Sequence, residues 1–245
     1  NKLLTILLLS FGFGTVIHVP DEYLTIQEAI DAATDYDSVL VSAGIYYENI
    51  VWPATNGIKL IGSGVDDCFI DGKKPKKQAS VIRIVDVESG IIDTTTKISG
   101  FTVRNGNAQD EFPNERGGGI YLYKSSPILR DVTLSGNTAT HGGGMFLYES
   151  SPTLTGVTFS GNTANSSGGG MYLQSYSDPT LTDVTFSDNT AINSGGGMYL
   201  YFNNDPTLTD VTFSYNTAGF DGGGMYLDSS NPTLTGVTFS DNTAG

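Results

Sequence analysis

Apolar and polar residues alternate in short runs from Gly117 onward, and the same order of runs recurs five times. Each repeat has three consecutive glycines, a short apolar and aromatic run, a turn with a proline, a Thr-rich run and an Asn-Thr-Ala sequence. The repeats begin about every 25 to 27 residues, at Gly117, Gly142, Gly168, Gly195 and Gly222. A period of this size indicates a solenoid, and alternation with period two indicates strands. The pattern therefore predicts an all-β parallel β-helix in which one repeat forms one coil.

Equivalent residues of successive coils lie about 4.8 Å apart in such a fold, so each repeated position forms a column along the axis. Three apolar columns are expected to fill the core: Leu154, Leu181, Leu208 and Leu234; Val157, Val184, Val211 and Val237; Phe159, Phe186, Phe213 and Phe239. A fourth column consists of Asn137, Asn162, Asn189, Asn216 and Asn242. Asparagine tolerates a left-handed corner, and stacked amides can bond one another. We therefore predict a structural asparagine ladder.

The run after each glycine triplet predicts a further column on the outer face of its strand. The first residue of the run is expected to point into the core, so the next residue points outward. The outward residues are aromatic in every repeat: Tyr121, Phe146, Tyr172, Tyr199 and Tyr226. A flat aromatic row suits stacking on sugar rings or on another solenoid, whereas aromatic pairs on neighbouring strands can also simply stabilise a sheet. This row, the aromatic column, is the candidate binding surface, with a structural ladder as the alternative.

The first residues of the chain are apolar after a basic start. Lys2 precedes an apolar stretch from Leu3 to Leu9, and small residues follow at Gly12 and Gly14. This pattern predicts a secretory signal, and the alternative is an apolar strand that caps the solenoid. The stretch is too short to span a bilayer of about 30 Å, so no integral membrane segment is expected.

A short helix is expected next. Thr25 and Glu28 have the spacing of a capping box, in which the hydroxyl and the carboxylate each accept from a free amide of the first turn. The apolar residues Ile26, Ala29, Ile30 and Ala33 would then share one face. A helix with this face would cover the open end of the β-helix. Strand-like runs separated by Gly and Asp follow, so we divide the chain into residues 1–14 (signal or cap), 15–116 (irregular coils with the capping helix) and 117–245 (regular repeats).

Both halves of the chain resemble known β-helix families. Residues 25–33, 37–49, 58–63 and 98–106 resemble the opening coils of pectin-lyase-like right-handed parallel β-helix proteins. The second half resembles the repeats of the polymorphic outer-membrane protein family, which pair a Gly-Gly-x-x tetrad with Phe-x-x-Asn, although the first repeat has Leu134 in place of Phe. The resemblance implies a right-handed solenoid. It carries little information on chemistry, because one fold hosts many functions.

Composition limits the classes of partner and cofactor. The net charge is −14, which argues against a nucleic-acid partner because phosphate neutralisation requires basic patches. The basic cluster from Lys73 to Lys77 is interpreted as a solvated loop. The single cysteine, Cys68, is expected to be a buried small residue without a redox role.

Candidate catalytic and metal-binding residues are few, because the repeats contain almost no singular side chains. The resemblance implies carboxylates with calcium and a basic residue, or a group of aspartates, so Asp66, Asp67 and Asp71 are the catalytic candidates. Asp183 and Asp210 would stack in one column and could hold calcium through oxygen ligands. No other cofactor is expected, since His18 and His141 do not have a metal-binding spacing.

These observations favour a secreted or cell-surface, non-catalytic scaffold or adhesin, because a long repetitive acidic solenoid has extent rather than a pocket. Self-association, including end-to-end assembly, and surface glycans or proteins are the expected partners. The alternative is a polysaccharide-active lyase or hydrolase, or a carbohydrate-binding protein, with its site on the coils before Gly117.

Overall fold

The computed structural model describes residues 14–73, 79–86, 92–109 and 115–245. The segment 1–13, which carries the predicted signal or cap, and residues 74–77 of the basic cluster lie outside these ranges. The described residues form strands and one short helix, α1 (Ile26–Ala32). No helix in these ranges has the length and apolar character needed to cross a membrane.

The described residues of the irregular coils form nine strands. They are β1 (Val16–Val19), β2 (Ser38–Val41), β3 (Gly44–Tyr46), β4 (Ile50–Val51), β5 (Lys59–Gly62), β6 (Cys68–Asp71), β7 (Ile82–Val85), β8 (Lys97–Arg104) and β9 (Asn107–Ala108).

The regular coils repeat one order of strands. The strands that follow the glycine triplets are β10 (Ile120–Tyr123), β13 (Met145–Tyr148), β17 (Met171–Gln174), β21 (Met198–Tyr201) and β25 (Met225–Asp228). The Thr-rich runs form β11 (Ile128–Ser135), β14 (Thr153–Thr155), β15 (Thr158–Ser160), β18 (Thr180–Thr182), β19 (Thr185–Ser187), β22 (Thr207–Thr209), β23 (Thr212–Ser214), β26 (Thr233–Thr235) and β27 (Thr238–Ser240). The strands that contain the Thr-Ala pair are β12 (Thr138–Ala139), β16 (Thr163–Ala164), β20 (Thr190–Ala191), β24 (Thr217–Ala218) and β28 (Thr243–Ala244).

Parallel pairing assembles these strands into three sheets. The first sheet has 15 strands, on the path β1-β2-β5-β8-β11-β14-β18-β22-β26 with β3, β6, β15, β19, β23 and β27 beside it. The second has seven, in the order β25-β21-β17-β13-β10-β7-β4, and the third has six, in the order β28-β24-β20-β16-β12-β9. Each strand pairs with its equivalent one coil away, for example Leu154 with Leu181 and Phe159 with Phe186. The prediction of an all-β parallel β-helix with one short helix is confirmed.

The core consists of continuous columns of apolar side chains enclosed by the three sheets. The rings of Phe159, Phe186 and Phe213 are fully buried and stack with centroids 4.6 and 4.7 Å apart. The predicted leucine and valine columns are buried in the same way on these coils. On the last coil, Leu234 is 45% and Phe239 48% exposed, because only one side of each is covered.

Helix α1 begins where the sequence predicts. The Thr25 hydroxyl accepts a hydrogen bond from the Glu28 N–H at 3.2 Å, and Ile26, Ala29 and Ile30 are fully buried against the first coils. The partner that completes the cap differs from the prediction: the Glu48 carboxylate accepts from the N–H groups of Ile26 and Gln27, both at 2.9 Å. Glu48 thus stabilises the start of the helix. A local capping motif does not reveal this contact, because Glu48 is 22 residues beyond Ile26.

Candidate functional site

The aromatic column lies on the outer face of the second sheet, separate from the main core. The strands pair in register, so Phe146 is aligned with Tyr172 and Tyr172 with Tyr199. Neighbouring rings are stacked from Tyr121 to Tyr226, with centroids 5.7, 5.1, 4.9 and 5.1 Å apart. One ring per coil therefore builds a second apolar cluster on the outside of the solenoid.

The rings lie on the outer face of the sheet, but other side chains cover the first three of them. Tyr121, Phe146 and Tyr172 are only 3%, 0% and 8% exposed, whereas Tyr199 and Tyr226 are half-buried. The guanidinium of Arg83 lies 4.5 Å from the centroid of Tyr121. Alternation along a strand determines the face of a side chain, but the groups that cover it come from distant parts of the chain.

Two further residues cover the column at the corner between the third and second sheets. Arg116 lies over Phe146, with its guanidinium carbon 4.9 Å from the ring centroid, and the ring of His141 meets Tyr172 edge-on with centroids 5.1 Å apart. Arg116 also donates to Glu115 at 3.2 Å and to the Gln174 side chain at 3.4 Å. We call Glu115, Arg116 and His141 the corner cluster.

The corner cluster is partly desolvated. The Oε2 atom of Glu115 and the Nδ1 atom of His141 are buried without a hydrogen-bond partner among the described residues. Burial lowers the pKa of His141, and the charge of Arg116 lowers this pKa further. Burial also raises the pKa of the Tyr172 phenol. Near neutral pH the imidazole is therefore held in its uncharged form beside a cation. The sequence pattern does not reveal this cluster, because Arg116 and His141 contact rings of the following coil, Phe146 and Tyr172, rather than the rings nearest to them along the chain.

A second aromatic group is exposed at the corner between the second and first sheets. Tyr176, Tyr201 and Phe202 are 62%, 40% and 49% exposed, and the rings of Tyr176 and Phe202 meet edge-on with centroids 6.3 Å apart. We call these three residues the aromatic edge. The two coils that carry them each have one more residue between Met and Pro than the coils before and after. This local lengthening of the repeat is the signal by which the sequence could have revealed them.

The three candidate catalytic aspartates occupy different environments. Asp66 and Asp67 lie in an exposed turn before β6, whereas Asp71 is buried at the other end of that strand. The Arg104 Nε atom donates to the Asp71 carboxylate at 2.8 Å, and the Asn105 amide donates to it at 3.0 Å. Burial alone would raise the pKa of Asp71, but the hydrogen bonds from Lys73 N–H, Asn105 and Arg104 together lower it.

The column that contains Asp183 and Asp210 has a left-handed backbone. Asp183 and Asp210 both have a φ of 54°, and the equivalent residues of neighbouring coils, Gly156 and Gly236, have φ values of 62° and 63°. Glycine and aspartate both tolerate this conformation, which explains why they alternate here. The described residues contain no group of three or more His, Cys, Asp or Glu side chains arranged to hold a metal ion.

The asparagine column forms a buried hydrogen-bonded ladder at the corner between the first and third sheets. Asn137, Asn162 and Asn189 each donate from Nδ2 to the Oδ1 atom of the next asparagine, at 3.0, 2.9 and 2.9 Å. Each Nδ2 also donates to a backbone carbonyl of the preceding coil. The Oδ1 atoms of Asn162 and Asn189 also accept from the backbone N–H of the asparagine before them, and Asn137 Oδ1 accepts from the Gly106 N–H at 2.9 Å. Every polar atom of these three side chains thus forms a hydrogen bond with the backbone at this corner.

Stacked parallel coils with three sheets and an asparagine ladder define a right-handed β-helix, and the family comparison agrees. The family model described as "Right handed beta helix region" matches residues 41–189 and 118–245. These matches cover most of the chain, so the protein belongs to the right-handed β-helix family. The prediction of a pectin-lyase-like right-handed fold is confirmed at the level of the fold. No curated protein sequence matches the chain.

Three solved structures are similar to the chain to different degrees. Pectin methylesterase from carrot has a TM-score of 0.52 at 10% identity, over 96% of this chain and 84% of that protein. Pectin methylesterase PemA from Erwinia chrysanthemi has 14% identity and a TM-score of 0.46, over 90% of this chain and 68% of that one. ORF18 of Geobacillus virus E2 has 13% identity and a TM-score of 0.48, over 92% of this chain and 61% of that protein. At 10% identity the similarity to the carrot enzyme shows the fold alone.

Proposed function

We propose that the protein is a secreted or cell-surface, non-catalytic β-helix scaffold. The observation that carries the proposal is the in-register stacking of equivalent side chains on both faces of the second sheet and along the asparagine ladder. Stacked aromatic rings outside the sheet and apolar columns inside it hold each strand from both sides. Repeated residues therefore serve packing and fix the spacing of the coils.

The residues with catalytic potential support the same conclusion. Asp71 is bound by Arg104, Asn105 and the Lys73 N–H, so its carboxylate is engaged in holding three neighbours together. Arg116 is engaged with Glu115, Gln174 and the Phe146 ring. A secreted or surface location is supported by the basic and apolar residues at the start of the chain.

The proposal is tested by measuring release of reducing ends and of unsaturated products from a panel of acidic and neutral polysaccharides, with and without calcium. Wild type, Asp71→Asn and Glu115→Gln are compared. The scaffold proposal predicts no turnover by any of them. Turnover by wild type that Asp71→Asn or Glu115→Gln abolishes, with the circular dichroism spectrum unchanged, would show an enzyme instead.

Carbohydrate binding at the aromatic edge is a second candidate function. Tyr201 and Phe202 are exposed at one corner, and Tyr199 continues the surface with its ring centroid 6.4 Å from that of Tyr201. Exposed aromatic faces on a rigid sheet suit stacking on sugar rings. A glycan array with wild type and Tyr201→Ser tests this function, with Tyr215→Ser as the control because Tyr215 is 60% exposed at a different corner. Equal binding by wild type and Tyr201→Ser would exclude the aromatic edge as the binding surface.

A further inference from the structure

A group of cationic side chains lies on the outer face of the first sheet, at strands β5, β8 and β11. Lys59 is aligned with Lys97 on the neighbouring strand, and Ser99 is aligned with Arg130 one coil further on. Lys97, Ser99 and Arg130 line a surface cavity of about 370 Å³ together with Ile98 and Ile128. We call Lys59, Lys97, Ser99 and Arg130 the cationic patch.

Within the part of the chain that the structure describes, no carboxylate forms an ion pair with this patch. The ion pairs of the described residues are Arg104 with Asp71, Arg116 with Glu115, and Lys124 with Glu149, so none of them involves the patch. Asp131 follows Arg130 directly, yet its carboxylate forms no ion pair with that guanidinium. Three cations without an ion pair to any described residue are thus gathered in a chain with 26 acidic and 12 basic residues.

The alignment of Lys59 with Lys97 is unfavourable unless an anion is present. Like charges directly opposite each other on neighbouring strands destabilise a sheet. Ammonium groups on strands about 4.8 Å apart can instead share one anion between them. Elsewhere in the same columns the regular coils carry threonine, at Thr153, Thr180 and Thr207, which shows that the position does not require a cation for packing.

We propose that the cationic patch binds a tetrahedral oxyanion, either phosphate or sulfate. Lys59 and Lys97 supply point charges that suit a doubly charged group, and the planar fork of Arg130 can donate two parallel hydrogen bonds to two of its oxygens. The hydroxyl of Ser99 lies between the charged residues in the register and donates to a further oxygen. The ligand is either the free inorganic anion or the same group esterified on a polymer, and this site is independent of the aromatic edge and of the scaffold proposal.

Isothermal titration of the full chain with inorganic phosphate and with inorganic sulfate tests the proposal. We expect millimolar binding of at least one anion and a loss of about tenfold or more in Lys97→Gln and in Arg130→Gln. Lys124→Gln is the matched control, since it removes a lysine that pairs with Glu149 at a different corner, and it should bind as wild type does. Absence of binding by wild type up to about 50 mM, or equal binding by wild type and both patch variants, would overturn the proposal.

Two further measurements separate a binding role from a structural one and identify the source of the anion. Because Lys97→Gln removes one of two aligned like charges, it should leave the urea midpoint unchanged or raise it. A lowered midpoint together with unchanged anion binding would assign Lys97 a structural role and overturn the proposal. Dextran sulfate and polyphosphate are titrated beside the free anions, with neutral dextran as the blank. Binding of a polymer at least about tenfold tighter than its free anion, and sensitive to Arg130→Gln, indicates an esterified ligand; equal affinity per group indicates the free anion.

Discussion

Replacing one asparagine in the middle of the ladder should destabilise the protein far more than replacing an exposed one. The side chain of Asn189 is fully buried and forms four hydrogen bonds. Its Nδ2 atom donates to the Phe159 carbonyl at 3.0 Å and to Asn216 Oδ1 at 2.9 Å, and its Oδ1 atom accepts from Asn162 N and Nδ2 at 3.0 and 2.9 Å. Asn189→Ala removes all four.

The expected loss follows from the groups that remain without a partner. A net hydrogen bond contributes about 0.5–1.5 kcal/mol, and a buried donor left unsatisfied costs about 1–3 kcal/mol. The Asn162 N–H loses the acceptor that its backbone uses at this corner, whereas Asn162 Nδ2 keeps its bond to the Leu134 carbonyl at 2.9 Å. Counting one full penalty and two or three net hydrogen bonds, we expect a decrease of about 3–5 kcal/mol in the free energy of unfolding.

The assay is urea unfolding followed by circular dichroism, together with amide hydrogen exchange at the corner of the ladder. Asn193→Ala is the matched control, because Asn193 is exposed on a neighbouring corner and its side-chain amide donates to the Ser166 hydroxyl alone among the described residues, at 3.2 Å. The control should change stability by less than about 0.5 kcal/mol. If Asn189→Ala costs less than about 1 kcal/mol and leaves exchange at Asn162 as slow as in wild type, the reasoning on the ladder is refuted.

Three other predictions concern charge and backbone. Because hydrogen bonds lower the pKa of Asp71 in the folded state, its stabilising contribution is present above the unfolded carboxyl pKa of about 3.9 and is lost as the pH falls through the folded value. Asp71→Asn should therefore cost more stability at pH 6 than at pH 3 in urea titrations, and a cost that is independent of pH would contradict this. Gly161 has a φ of 63° with no atom within 4 Å of an added Cβ, so Gly161→Val should cost about 1–2 kcal/mol through backbone strain alone. Thermal melts of both variants should show that Gly161→Asp loses less stability than Gly161→Val, because Asp188 and Asp241 already occupy this column with a positive φ. Equal losses of stability would refute the argument. Arg116→Ala removes a side chain that helps to bury His141 and a positive charge beside it, so an NMR titration should show the pKa of His141 rising. Arg83→Ala, which uncovers Tyr121, should leave the pKa of His141 unchanged. No rise in Arg116→Ala would contradict the electrostatic account of the corner cluster.

The repeated positions carried most of the information that the sequence holds about the fold. The Phe159 and Asn162 columns could be predicted because each residue meets a copy of itself one coil away, so spacing alone determines its neighbours. The cover of the aromatic column could not, since Arg83 and Arg116 reach it from irregular coils whose positions depend on loop paths.

The candidate sites followed the same rule. Asp71 could be singled out as a carboxylate on an early coil, but its partner Arg104 is 33 residues away and is aligned with it only by the register of β6 on β8. The cationic patch was missed for a related reason. Lys59, Lys97 and Arg130 lie on successive coils of different length, so no fixed spacing marks them as neighbours.

The measurement that tests the central claim, a rigid stack of coils in fixed register, is the distance between spin labels at two ends of one outer column. Val16 and Thr207 belong to a single column of the first sheet, seven strand steps apart through Ser38, Lys59, Lys97, Ile128, Thr153 and Thr180. Cys68 is buried and leaves introduced cysteines at positions 16 and 207 as the reactive thiols. Pulsed electron paramagnetic resonance should give a single narrow distribution near about 34 Å. A broad distribution, or a maximum displaced by more than about one strand spacing of 4.8 Å, would contradict the rigid register on which the scaffold proposal depends.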